Sequence, residues 1–345
     1  MEPALALIVE CCRADLGEAE LDSLAAKLTK ADGKRIAQLA KRHRVEGLVW
    51  RVMQRSGLIP LGAGTLAEQA RRIAMDGLLM ARESGRVHRN FAGNSLPHLF
   101  LKGQTLGALA WGNPMLKRQL DIDLLVPAGA IGRAAAILSH MGYVQETPEP
   151  SVDPADWHRR HKESLWRSDD GILLDLHSRL ADNPAVLSTV TAASPARLVE
   201  IAGGVALPTL GDRLLLPYLA VHGCSSGWFR LKWIADFAAL ARRVDGAAIA
   251  AAIDIAPRLQ AGRALAAAFV LANRLLGTPI PEELEYDGGA ARLVKIGLKA
   301  IADEREPTDR ALGTLSIHHS QMLMAPGSHF FVGEAMRQLG ALLTR

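Results

Sequence analysis

Three carboxylates and a neighbouring histidine carry the chemistry this chain has to offer. In LKRQLDIDLLVP, residues 116–127, the apolar Leu120, Ile122, Leu124 and Val126 alternate with Asp121, Asp123 and Leu125, the period of an extended strand. Asp121 and Asp123 therefore share the second face, roughly 6 to 7 Å apart at about 3.3 Å per residue. Like charges at that distance repel unless a cation lies between them. A second stretch, GILLDLH, repeats the pattern: Ile172, Leu174 and Leu176 on one face, Leu173, Asp175 and His177 on the other. If the two strands are neighbours, three carboxylates converge. Hard oxygen ligands suit Mg²⁺ or Mn²⁺, and two such ions about 3.5 to 4 Å apart stabilise the attacking and leaving oxygens of a phosphoryl displacement. The competing reading is a solvated edge with Asp121 and Asp123 paired to Lys117 or Arg118. His177 either orients Asp175, contacts an acceptor, ligates a metal or makes a structural hydrogen bond.

Further candidates flank these strands. HLFLKGQTLGALAWG reads as strand, turn and helix, where Gly103 lets the backbone approach a phosphate and the helix N-terminus presents N–H groups to it. Lys102 adds charge; a plain strand-to-helix turn is the simpler reading. Lys117 and Arg118 enter the carboxylate strand and are candidates for anion contact. WHRRHKESLW, 157–166, brings Arg159, His161 and Lys162 towards the same sheet, or forms a solvated basic strand. In HGCSSGWFRLKWIADF a loop between helices holds His222, Trp228 and Arg230: an indole to stack on a base and a guanidinium for phosphate. Helix-pair packing is the alternative there, with Trp233 and Phe237 an i, i+4 apolar pair.

These residues need a scaffold, and composition says which kind. With 345 residues, 49% apolar and only 5% aromatic, the chain has length for a sizeable core and favours helices over an all-β core. A net charge of +4 is too small to imply a nucleic-acid protein by itself. Cys11, Cys12 and Cys224 make no disulfide framework. The first twenty residues do not read as a signal peptide, and no apolar run reaches a membrane-spanning length, so a cytoplasmic protein without membrane association is expected. Apolar residues recur at helical intervals through residues 1–94 and return from Asp212, while period two dominates between, with IGRAAAILSHMGY a helix. NSLP near 94–97 and PTLGD near 208–212 punctuate the chain. Three regions are expected: a helical region 1–94, a core 95–210 and a helical region 211–345. The Pro-rich, acidic QETPEPSVDPADWHRR reads as a loop that borders a site or simply connects elements.

Together, LKGQTL, then DIDLLV followed by a helix ending in MGY, then LDLHSRL, and later HGCSSGWFRLKWIADFAALAR resemble the uncharacterised nucleotidyltransferase-like family within the DNA polymerase β-type nucleotidyltransferase superfamily. The resemblance covers roughly residues 95–245, and the order of four blocks carries it. It implies an α+β fold with a small mixed sheet flanked by helices. It also implies a nucleoside triphosphate, with ATP as the first candidate, and a divalent cation on Asp121 and Asp123. Asp175 matches the third carboxylate, which in the superfamily binds the catalytic metal and assists deprotonation of the acceptor hydroxyl. One departure stands out. The superfamily usually has Gly-Ser or Gly-Gly at the first turn, whereas this chain has Gly103-Gln104, so that either Thr105 substitutes as donor to triphosphate or phosphate binding rests on backbone N–H groups. The expected reaction is Mg²⁺-dependent transfer of a nucleotide to a hydroxyl or phosphate acceptor, on a small molecule, peptide, protein or RNA end. A non-catalytic or antitoxin-like nucleotide-binding module and a phosphotransferase with the same metals are the alternatives.

Overall fold

The computed structural model describes residues 1–57 and 62–343. The chain divides into two compact units: residues 74–214, and residues 1–73 together with 215–345. The fold is α+β, mostly helical with a small mixed sheet.

The sheet lies in the 74–214 unit. Its strands are β1 (Leu99–Phe100), β2 (Asp121–Leu125), β3 (Val144–Thr147), β4 (Glu163–Arg167) and β5 (Leu173–His177), in the spatial order β1-β2-β5-β4-β3. β2 and β5 run parallel and every other pair is antiparallel. Ile122, Leu124, Leu174, Leu176 and Trp166 turn one face of this sheet into a buried core shared with Phe91, Ile131 and Leu138. Helices Gly64–Gly93 and Ile131–His140 supply those last three residues. Each buried leucine or isoleucine contributes roughly 1.5–3 kcal/mol. A one-residue slip of β2 would exchange that apolar set for its aspartates, so the core itself fixes which face the carboxylates occupy. Tyr143 joins the same core and ties it to helix Gly64–Gly93: its hydroxyl donates to Glu83 Oε1 at 2.5 Å, and Arg86 forks onto both Glu83 oxygens at 2.7 and 2.9 Å. A separate hairpin pairs β6 (Ala196–Glu200) with β7 (Ala206–Leu210).

Several local expectations change. Leu120 is 42% exposed and precedes β2 rather than extending its apolar face. The segment expected to be a loop from Gln145 contains most of β3 and a short helix, Pro154–His158. Its Gln145 amide donates to the carbonyls of Pro148, Glu149 and Val152, which gathers the turn onto the strand. WHRRHKESLW is helix at its start and strand only from Glu163.

The other unit is helical. Its N-terminal part holds Pro3–Cys11, Glu18–Thr29, Gly33–His43 and Glu46–Met53, and its C-terminal part includes Leu231–Ala241, Gly262–Leu276 and Gly288–Ala302. Trp228 sits at the centre of the C-terminal part. Its indole is 1% exposed and donates from Nε1 to Cys224 Sγ at 3.3 Å. Gly223 makes room for it, since a Cβ there would meet the indole ring at 2.2 Å. No helix among the described residues is long and apolar enough to cross a membrane.

Candidate metal and nucleotide site

The parallel register of β2 on β5 sets Asp123 directly opposite Asp175, and Leu125 opposite His177. Antiparallel β4 then sets Glu163 opposite His177 and Leu165 opposite Asp175. Alternation along each strand thus carries Asp121, Asp123, Asp175, His177 and Glu163 to the face away from the aliphatic core. Ligand atoms of Asp123, Asp175 and His177 lie within 4.8 Å of one another, a spacing that a single cation can span.

Charge is distributed unevenly over this group. Asp123 is buried, which by itself would raise its pKa. The Lys102 ammonium 2.9 Å from Oδ1 and His177 Nε2 3.2 Å from the same oxygen outweigh burial and hold the carboxyl far below the usual range. Asp175 shows the opposite behaviour: burial, then the negative charges of Glu163 and Asp123, push it up to about 7, with Asp121 adding to the rise. Glu163 is lowered, burial being outweighed by His177 and by Lys162, whose Nζ lies 2.8 Å from Oε2. His177 is 3% exposed, and its Nδ1 has no hydrogen-bond partner although Glu163 Oε2 stands 3.4 Å away. Two carboxyl groups, Asp123 held ionised and Asp175 raised by burial and then by neighbouring negative charge, and the His177 imidazole form a donor set that fits a divalent cation.

The first turn lies along the backbone of Asp123. Leu101 N–H donates to the Asp123 carbonyl at 3.1 Å, and the chain turns at Gly103 into helix Gln104–Trp111. Gly103 has φ 64° and ψ −120°, a conformation open to glycine and costly for any other residue. A Cβ at this position would also meet the Gln119 carboxamide at 2.2 Å. Gln119 is a residue that sequence reading passed over: it accepts from Gln104 Nε2 at 2.9 Å and donates to the Asp121 carbonyl at 2.9 Å, tying the turn to the start of β2. The helix start leaves first-turn N–H groups without intrahelical acceptors, which favours an anion.

Other expected site residues fall out differently. Lys102 is a counter-ion of Asp123 in this structure. Thr105 is buried and spends its hydroxyl on the Lys102 carbonyl at 3.1 Å, so it closes the turn. Lys117 and Arg118 lie in the irregular stretch before β2. His161 is exposed and stacks on Trp157 with ring centroids 3.5 Å apart, outside the Asp123 group. His222 lies in helix Asp212–Ser225 rather than in a loop, its ring edge-on to Trp233 at 5.8 Å. Trp228 is a core side chain with no exposed ring for a base. Arg230 forks onto Glu306 at 2.6 and 3.0 Å and lies over the Phe229 ring, so it serves its own helical unit.

Exchange of Lys102 for methionine should expose how much of this arrangement depends on cationic charge. Asp123 would lose the ammonium 2.9 Å from its Oδ1 and keep His177, and the loss of one member of a buried ion pair costs about 3 kcal/mol. Denaturant unfolding is expected to show that loss in metal-free buffer and a partial recovery on adding Mg²⁺, because a divalent cation replaces the ammonium. Equal stability of the two proteins with and without Mg²⁺ would contradict it.

No curated protein matches the chain. A model of the uncharacterised nucleotidyltransferases matches residues 29–277, which include the whole sheet, the Gly103 turn and all three carboxylates. The chain belongs to the uncharacterised nucleotidyltransferase family.

Proposed function

We propose that this protein is a divalent-cation-dependent nucleotidyltransferase in which an acceptor hydroxyl or phosphate attacks the α-phosphorus of a nucleoside triphosphate and pyrophosphate leaves. The observation that carries the reading is the parallel β2–β5 register, which sets Asp123 against Asp175 beside a glycine turn that opens a helix. Asp121, Asp123 and Asp175 would hold the cation, which when bound supplies charge neutralisation to the phosphates. Asp175, on the β5 side, would accept the acceptor's proton. The Gly103–Gln104 turn and the helix behind it would seat the triphosphate on backbone N–H groups. Lys102 would move from Asp123 to phosphate as the cation arrives. Most of the rate then comes from positioning and from fixed charges in a partly buried site. ATP is the first nucleotide to try, and the acceptor class stays open among small molecules, peptides, proteins and RNA ends.

Three observations favour a second reading, a nucleotide-binding module without turnover. Lys102 already neutralises Asp123, Thr105 spends its hydroxyl within the turn, and Gln104 occupies the position of the usual serine or glycine. Calorimetry on the purified chain with Mg²⁺ or Mn²⁺ and each triphosphate tests the common premise. Triphosphate affinity is expected to depend on the cation, and binding that is indifferent to chelation of the cation would contradict both readings.

A further inference from the structure

His177 stands between two carboxylates, with Asp123 Oδ1 3.2 Å from Nε2 and Glu163 Oε2 3.4 Å from Nδ1. In a neutral imidazole one nitrogen carries the proton and the other a lone pair. Nδ1 is buried and without a hydrogen-bond partner, so the nearest group able to accept its proton is Glu163. That carboxylate is itself held from the far side by Lys162 at 2.8 Å. Without a cation Nε2 is hydrogen-bonded to Asp123 Oδ1, an acceptor-only carboxylate, and so carries the proton. A cation on Asp123 and Asp175 would displace that proton, and with the proton then on Nδ1 the Nε2 lone pair points into that group, whose ligand atoms lie within 4.8 Å of it.

We infer that His177 Nε2 is a nitrogen ligand of the cation held by Asp123 and Asp175, and that Glu163, pinned by Lys162, is the positioning residue that accepts the proton's hydrogen bond at Nδ1 and so holds the ligating tautomer once the cation is bound. The inference rests on the cation site proposed above. Its consequence is selectivity: an imidazole nitrogen suits borderline metals such as Mn²⁺ and Co²⁺, whereas Mg²⁺ prefers oxygen and retained water. The site therefore takes Mn²⁺ in preference to Mg²⁺. A carboxylate that orients a metal-bound histidine commonly matters 10–100-fold in affinity. Glu163 is reached only through β4, so three carboxylates on β2 and β5 do not by themselves reveal it.

The test uses the full chain loaded with Mn²⁺ and no nucleotide. Pulsed electron paramagnetic resonance should show modulation from a directly coordinated ¹⁴N, and Asn at position 177, introduced as His177→Asn, should remove it. Glu163→Gln alters a half-exposed side chain and keeps its size. It should weaken Mn²⁺ binding by about 10–100-fold in competition calorimetry, while Mg²⁺ binding falls by only a fewfold. Absence of ¹⁴N modulation in the wild-type protein carrying bound Mn²⁺ would overturn the inference without recourse to any variant. An equal loss for both metals in Glu163→Gln would overturn it too. The outcomes also separate it from the proposed reaction: nitrogen coordination without nucleotide transfer removes the reaction and leaves the ligand, and transfer without nitrogen coordination does the reverse.

Discussion

Asp175→Asn is expected to lower nucleotide transfer by roughly 10²–10⁴-fold, the usual contribution of a positioned general base. It should leave much of the cation-dependent triphosphate binding, which Asp121, Asp123 and the Gly103 turn would support. Its effect on stability should run the other way from its effect on rate. The folded-state pKa of Asp175 is raised to about 7 by burial and by Glu163 and Asp123. Raising an acid's pKa on folding means that the native state binds more protons than the unfolded one between the ordinary carboxylate value and about 7. The contribution to stability therefore declines as pH rises through that window, and above it the ionised group is a constant liability. Asparagine carries no such charge. At pH 8 without metal the variant should melt no lower than the wild-type protein, and Mg²⁺ should stabilise it less. A variant that keeps wild-type turnover would remove Asp175 from the reaction.

Asp123→Asn should behave in the opposite sense on stability while also abolishing transfer. Asp123 is the acceptor for both Lys102 and His177, and those contacts overcome its burial to hold it ionised. Its loss leaves an ammonium and an imidazole facing a neutral amide, at a cost of about 3 kcal/mol. It also removes the carboxylate on which the cation group centres, so cation-dependent triphosphate binding should fall with turnover. Equilibrium unfolding and calorimetry on the same preparation separate the two effects. Asp123 and Asp175 differ because the Lys102 ammonium lies 2.9 Å from Asp123, while burial and the charges of Glu163 and Asp123 dominate at Asp175. Undiminished metal-dependent binding in Asp123→Asn would sink the assignment of the site.

Period-two patterning made the carboxylate face legible, because alternation in DIDLL and LLDLH is a local property that needs no partner to be read. The mixed sheet followed from the resemblance, since the parallel pairing of β2 with β5 spans two intervening strands and two helices, Ile131–His140 and Pro154–His158, which no local pattern encodes. Glu163 was missed for a different reason. β4 and β5 form an antiparallel pair joined through Ser168–Ile172, and the Asp170-Gly171 step, with Gly171 at φ 79°, is a hairpin signal. That signal was present, and reading it would have put Glu163 opposite His177. Trp228 failed for want of any local signal. The space its indole fills is opened by Gly223 nearby and Gly297 far along the chain. A tryptophan in a short Gly-rich connection looks exposed until that second glycine is placed. Gln119 over Gly103 is likewise a matter of tertiary approach, invisible until the turn's φ of 64° brings the carboxamide onto it.

The most direct test follows the phosphorus atoms. Purified protein is supplied with α-labelled or γ-labelled ATP, and in parallel the other triphosphates, together with Mg²⁺ or Mn²⁺ and a cell extract as a source of acceptors. Attack at the α-phosphorus leaves the α-label on an acceptor and the γ-label in pyrophosphate, and that is the expected result, with transfer lost in Asp123→Asn and Asp175→Asn. Transfer of the γ-label to an acceptor would contradict it and make the protein a phosphotransferase, and retention of both labels in unreacted triphosphate would contradict it in favour of a binding module.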